Sequence, residues 1–374
     1  MREIQSVDAL DAAIDSGDSL AGLRLQDLDL DDREAALLRR TDLEGLVVLG
    51  GRTSDVLAHH LRLHGALVFP TDPHAPVDPY RSTLYQAHEL YAGLAQHGYD
   101  ATPDARAHRW SADADLGHDA FVTLLRAIHD DSISDALTEV LAGSPVVGVM
   151  GGHGLRRGTA EYAAAARLGH SLASAGLTVA TGGGPGAMEA ANLGAFARSP
   201  AALDGALREL GTAPGYLPDV GAWASAGLAV HDDLVRGECV PGRGASIGIP
   251  TWFYGHEPPN AFCTGIAKYF SNAVREDGLL ARCTAGIIVL PGAAGTVQEV
   301  FQAATRLYYS PDAAPAPPPL VLVDHAHWTR TLPVWPALRA LARGRAMQDA
   351  VHLVADVDEA LALLSPPRAL GPGK

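Results

Sequence analysis

From residue 145 onward the chain repeats one unit: a short apolar run, a glycine-rich turn, then a helical stretch. "PVVGVMGG" (145–152) leads into "TAEYAAAARLGHSLASAG" (159–176), whose last glycine suits a helix C-cap. "LTVATGGGPGAMEAANLGAFA" (177–197) repeats the unit, and after a less regular stretch over 199–245 the runs "SIGIP" (246–250), "AGIIVLP" (285–291) and "PLVLVD" (319–324) supply further strands. Helices are predicted at 261–281, 296–309 and 330–343. Apolar strands that alternate with helices hide both faces only in a parallel sheet covered on each side. The expected fold is α/β, a doubly wound Rossmann-like parallel sheet over 116–370.

Residues 1–115 read as a smaller N-terminal region without identifiable chemistry. "LRLQDLDLDD" (23–32) alternates Leu with polar residues, and "LEGLVVLGG" (43–51) reads as a buried strand ending in a glycine turn. "VFPTDPHAPVDPYRSTLY" (68–85) carries four prolines, which exclude a central strand and predict a winding loop. "HDAFVTLLRAIHDDSISDALTEVLAG" (118–143) has helical spacing and joins the two regions.

Charge narrows the partners. The net charge is −15, and only Lys268 and Lys374 among the 28 cations are lysines. An acidic surface repels nucleic acid and anionic membrane, although local backbone amides still suit a small anion. Cys239, Cys263 and Cys283 form no CxxC pair, so a disulfide framework or zinc ribbon is not expected and a reducing, cytoplasmic setting is. No run reaches the roughly 18 apolar residues of a spanning helix. His59-His60 and His325-x-His327 lack partners at a metal-binding spacing, so no metal is expected. A pyridoxal phosphate Schiff base needs an internal lysine, for which only Lys268 is available.

Three turns concentrate glycine where strands meet helices: "MGGHGLRRG" (150–158), "TGGGPGAM" (181–188) and "PGAAGT" (291–296). Each is expected to leave backbone N–H groups free at the positive end of a helix, an arrangement that holds phosphate. GxGxxG is not satisfied at 182–189, and no GxxxxGK[ST] occurs, which argues against NAD binding and P-loop ATP hydrolysis.

"GGGPGAMEAAN" (182–192) followed by "PGAAGTVQE" (291–299) resembles the paired motifs of the LOG family of nucleoside 5'-monophosphate phosphoribohydrolases, long mislabelled as lysine decarboxylases. "GGHGLRRGTAEY" (151–162) and "HEPPNAF" (256–262) look more like the longer bacterial purine and pyrimidine nucleotide nucleosidases of that group. The resemblance spans about 145–330 and implies an AMP-like substrate, no cofactor and a homodimer or higher homo-oligomer. The family usually reads PGGxGTxxE, and here the second glycine is Ala293. It also places the essential acid at Glu299 and a partner arginine on the preceding helix, where Arg275 lies one residue off the spacing and Arg282 is the alternative.

Most of these positions carry two readings. Glu299 follows Thr296 at the T-x-x-E spacing of a capping box, or it supplies the carboxylate that stabilises an oxocarbenium-like transition state. Arg275 orients that acid or lies on a solvated helix face. Gly152, Gly182, Gly183, Gly184, Gly186, Gly292 and Gly295 shape the phosphate turns, with Met188 beside them. His153 touches ligand or lines its turn, Thr181 touches ligand or satisfies its turn, and Glu257 and Asn260 contact base or ribose or belong to a structural loop. The alternative to a nucleosidase is a non-catalytic nucleotide-binding or carrier protein on the same scaffold.

Overall fold

A computed structural model describes residues 3–236, 244–253, 257–310 and 317–364. The chain divides into two compact units: Met1–Leu84 with Ala114–Leu137, and Tyr85–Asp113 with Thr138–Lys374. Among the described residues no helix is long and apolar enough to cross a membrane.

The first unit holds a parallel sheet of four short strands, β1 (Glu3–Ile4), β2 (Arg24–Gln26), β3 (Val47–Leu49) and β4 (Leu67–Phe69), in that order. Leucines fill its core, among them Leu10, Leu25, Leu43, Leu46, Leu57 and Leu61. The alternating stretch 23–32 is a strand only to Gln26, because Asp27 turns into the left-handed region (φ 50°) while its N–H donates to Leu49 O. Beyond that break Leu28 and Leu30 still reach the core.

The second unit is built on seven parallel strands: β5 (Val146–Met150), β6 (Thr178–Thr181), β7 (Ser246–Gly248), β8 (Gly265–Ile266), β9 (Gly286–Val289), β10 (Leu320–Val323) and β11 (Val351–Val354). Their spatial order is β11-β10-β9-β5-β6-β7-β8, with every pairing parallel. Alternate residues serve opposite faces. Val147 and Val149 pack with Tyr162, Leu172 and Ala190 of helices Ala160–Ser174 and Ala187–Phe196, whereas a Cβ added at Gly148 would meet the Cys283 sulfur beyond helix Asn272–Arg282. Helices therefore cover both faces, which is the doubly wound α/β arrangement.

One predicted helix is corrected. The stretch 261–281 is helical only from Asn272, where the Ser271 hydroxyl caps the first turn. Residues 261–270 run through β8 instead, and Phe262, Cys263, Ile266, Ala267, Lys268 and Tyr269 are all buried. A segment buried on every side has no polar face to mark its period. Lys268 lies there with its Nζ 2.6 Å from Asp104 Oδ1, and that carboxylate also accepts from Trp252 Nε1 and Tyr99 Oη.

Candidate functional site

In an open parallel sheet, ligands lie at the carboxyl ends of the strands where the winding reverses. Here the chain starts at β5, winds outward through β6, β7 and β8, then returns to the other side of β5 with β9, β10 and β11. The reversal falls between β5 and β9. Their two glycine turns are joined at that point, Gly152 N donating to Pro291 O across 3.1 Å. A cleft of about 820 Å³ opens over them, lined by Gly151–Leu155, Gly182, Met188, Glu257, Arg275, Pro291–Thr296 and Glu299, among others.

Two of the three glycine turns feed helix N-termini that no side chain caps. Gly186 precedes helix Ala187–Phe196 with φ 77° and ψ −129°, and a Cβ there would stand 2.5 Å from Gly152 O. Only glycine fits such a position. Ala293 precedes helix Ala294–Tyr308, again without a side-chain cap. The expectation of three anion-ready helix ends needs correction at the first turn: Thr159 accepts from Tyr162 N and so caps helix Ala160–Ser174 itself. Of "MGGHGLRRG" only Gly151–Leu155 line the cleft, ahead of the capped helix start.

The same geometry removes the capping-box reading of "TVQE". Helix Ala294–Tyr308 begins before Thr296, which is its third residue, so Glu299 lies well inside the helix on the same face as Thr296. With a rise of about 1.5 Å per residue, the acid stands roughly 5–8 Å along the axis from the first three amides, the scale of a sugar ring. Its Oε1 is 3.4 Å from Arg275 Nη1, the two side chains being 12% and 10% exposed. Arg275 Nε is buried and has no hydrogen-bond partner among the described residues. Burial pushes the Glu299 carboxyl up to about 7 although Arg275 pulls it down, and Glu276 adds to the rise. Arg282 is directed elsewhere, donating to Gly278 O and Thr138 Oγ1.

Among the described lining residues Arg275 is the one lysine or arginine, so an anion in this cleft depends mainly on backbone N–H groups. His153 and Glu257 pair within the same lining. The His153 Nδ1 lies 2.9 Å from Glu257 Oε1, and that hydrogen bond raises the imidazole above its ordinary range despite partial burial.

Other predicted residues lie behind the wall. Thr181 Oγ1 donates to Asn192 Oδ1 at 2.6 Å and accepts from Gly183 N at 2.9 Å. Asn260 Nδ2 donates to Asn192 Oδ1 and to Gly184 O, while its own N–H holds Gly183 O. Both side chains are fully buried and absent from the lining, so they brace the 182–186 loop from below. Gly183, Gly184 and Gly186 shape that loop without lining the cleft, while Gly152, Gly182, Met188, Gly292, Gly295 and Thr296 line it. His256 lies outside the described residues.

Sequence reasoning missed the far wall. Asp324 follows β10 with φ 84°, its carboxylate accepting from His327 N, and His327 Nε2 lies 3.0 Å from Gly292 O. Asp356 follows β11 and caps helix Val357–Leu363. Both sit at strand ends, the place where a parallel sheet gathers its functional groups, and that position was the available signal. Also missed is Arg157. Its Nη2 is 2.5 Å from Glu189 Oε1 with both side chains 1% exposed, its Nη1 donates to Ala213 O and Trp223 O, and its guanidinium lies 4.8 Å from the Trp223 ring.

Residues 144–209 match the model of the SLOG cluster4 family. A comparison with curated proteins found no match. Among solved structures, the molybdenum cofactor binding protein from the phototrophic bacterium Rippkaea orientalis is 17% identical over 59% of this chain and 96% of that one, with a TM-score of 0.35. The molybdenum cofactor carrier protein from Chlamydomonas reinhardtii is 19% identical over 59% of this chain and 94% of that one, with a TM-score of 0.34.

Proposed function

We propose that the chain hydrolyses the N-glycosidic bond of a nucleoside 5'-monophosphate. Water adds to the anomeric carbon, the C–N bond breaks, and the base leaves with a proton, yielding free base and ribose 5-phosphate. The observation that carries this reading is the placement of Glu299, a buried carboxyl, along the helix whose uncapped start lies in the cleft. In its ionised form it stabilises the positive charge that develops on the ribose and takes a proton from the attacking water. Arg275 is the positioning residue for that acid. The backbone of Gly182, Gly292, Gly295 and Thr296 would hold the phosphate, with Gly152, His153, Met188 and Glu257 around the rest of the nucleotide. The SLOG cluster4 match over the first two glycine turns supports this reading, since the SLOG superfamily includes LOG-like proteins.

A second reading is a non-catalytic nucleotide or cofactor carrier. It is favoured by Ala293, whose methyl group stands at the helix start where the resembled motif has glycine.

The phosphate site is tested by comparing a nucleotide with its nucleoside. AMP is expected to turn over at least ~100-fold faster than adenosine at low concentration, because charge-assisted donors each contribute about 1.5–3 kcal/mol. Equal release of adenine from both, followed by chromatography, would remove the phosphate site.

A further inference from the structure

Away from the cleft, helix Val220–Val235 carries His231 and Asp232 near its end, and the short helix Ala87–Leu90 brings His88 against them. His88 Nε2 is 2.6 Å and His231 Nδ1 is 3.0 Å from the same oxygen, Asp232 Oδ1. One ligand-capable atom from each residue falls within a span of 4.8 Å, and none of the three residues lines the cleft. We propose that His88, His231 and Asp232 form a surface site for a borderline divalent transition-metal ion, with zinc as its reference ligand and water completing the shell.

The donor set selects that class. Two imidazoles with one carboxylate match zinc and its neighbours, whereas magnesium and calcium take oxygen ligands and thiophilic ions take sulfur. Zinc–ligand bonds of about 2.0–2.1 Å in a tetrahedral shell put donor atoms roughly 3.3 Å apart. The two imidazole–carboxylate separations, 2.6 and 3.0 Å, are shorter than that value, so small side-chain rotations would open the three donors around an ion. In the ion-free cluster both imidazoles must present an N–H to one carboxylate oxygen. A cation needs those same ring nitrogens as lone-pair donors, so its binding moves each imidazole proton to the ring nitrogen that faces away from the ion.

The surroundings suit such an ion as well. His88 and Asp232 are 53% and 48% exposed, which leaves room for water at the open position, while His231 is only 14% exposed. The His231 ring is held against Phe196, stacked at 4.9 Å between centroids, and meets His88 edge-on at 5.4 Å. One ligand is thus pre-oriented and two are reachable. A bound ion would tie the 87–90 helix to the 220–235 helix, on contacts already formed by Tyr91, Leu94, Trp223 and Ala224.

Calorimetric titration of the chelator-treated, tag-free full chain with zinc chloride at neutral pH tests the site. A single equivalent should bind. His88→Ala and Asp232→Ala should each weaken binding beyond the roughly 10–100-fold that outer-shell changes cost. Because His88 is exposed, its variant should keep the wild-type thermal midpoint, and Asp232→Asn gives a second, milder replacement. Cobalt added to the wild type should show visible absorption of a tetrahedral N/O site that disappears in Asp232→Asn. Absence of zinc binding to the wild type, or equal binding by His88→Ala, would overturn the proposal.

Discussion

Replacing Glu299 by Gln is expected to cut turnover of a nucleoside 5'-monophosphate by at least ~100-fold while nucleotide affinity changes only a few-fold. The lost interaction strengthens only as positive charge builds on the sugar, so it belongs to the transition state. Gln keeps an acceptor near Arg275 Nη1, and the helix loses no cap, because Thr296 and Glu299 lie inside it. The pH profile supplies a second readout. Burial raises the Glu299 carboxyl from 4.5 to about 7, so the ionised form that acts on substrate grows as pH rises through that value, and turnover should rise with it. The stability sign is the reverse: a carboxyl raised on folding resists ionisation, so its contribution is fully present below pH 4.5 and is lost as pH rises through about 7. Across that window wild type should therefore lose up to about 3 kcal/mol relative to Glu299→Gln. Urea unfolding of both proteins at the two pH extremes measures it. Normal turnover in Glu299→Gln would end the catalytic assignment.

Breaking the Arg157–Glu189 pair is expected to produce the largest loss of stability, about 3–5 kcal/mol for Glu189→Ala. Both side chains are 1% exposed, so truncating the acid strands a guanidinium whose remaining partners, Ala213 O and Trp223 O, carry no full charge. The exposed Arg236–Asp233 pair is the contrast: its side chains are 71% and 59% exposed, and Asp233→Ala should change stability by less than ~1 kcal/mol. Replacing both buried partners by apolar residues, Arg157→Met with Glu189→Leu, should recover part of the loss, since no buried charge is then unpaired. Chemical unfolding of the four proteins checks this, and a Glu189→Ala variant within ~1 kcal/mol of wild type would contradict it.

Which features were readable follows from how local their causes are. The runs at 145–152, 177–181 and 285–291 declare themselves as strands because apolar residues and glycine turns are adjacent in sequence, and each is a parallel strand. The start of helix Ala294–Tyr308 was not readable from T-x-x-E, because Ala293 and the Pro291–Gly292 backbone set it while Thr296 packs back on Gly292. At Thr159 the same kind of hydroxyl does cap, and only the backbone path distinguishes the two. Thr181 and Asn260 carry residue types that suit ligand binding, yet their hydrogen bonds close on Asn192, a partner that no spacing rule connects to them. The meeting of His88 with His231 and Asp232 depends on tertiary packing between distant segments, so neither residue run hints at it.

The most direct test of the proposed activity is product analysis. Purified full chain is incubated with a panel of purine and pyrimidine nucleoside 5'-monophosphates, and free base and ribose 5-phosphate are quantified by chromatography alongside nucleotide binding by calorimetry. The account predicts that at least one monophosphate yields base and ribose 5-phosphate in equal amounts, and that this release is lost in Glu299→Gln. Binding of the monophosphates without base release from any of them would contradict it and leave a nucleotide carrier.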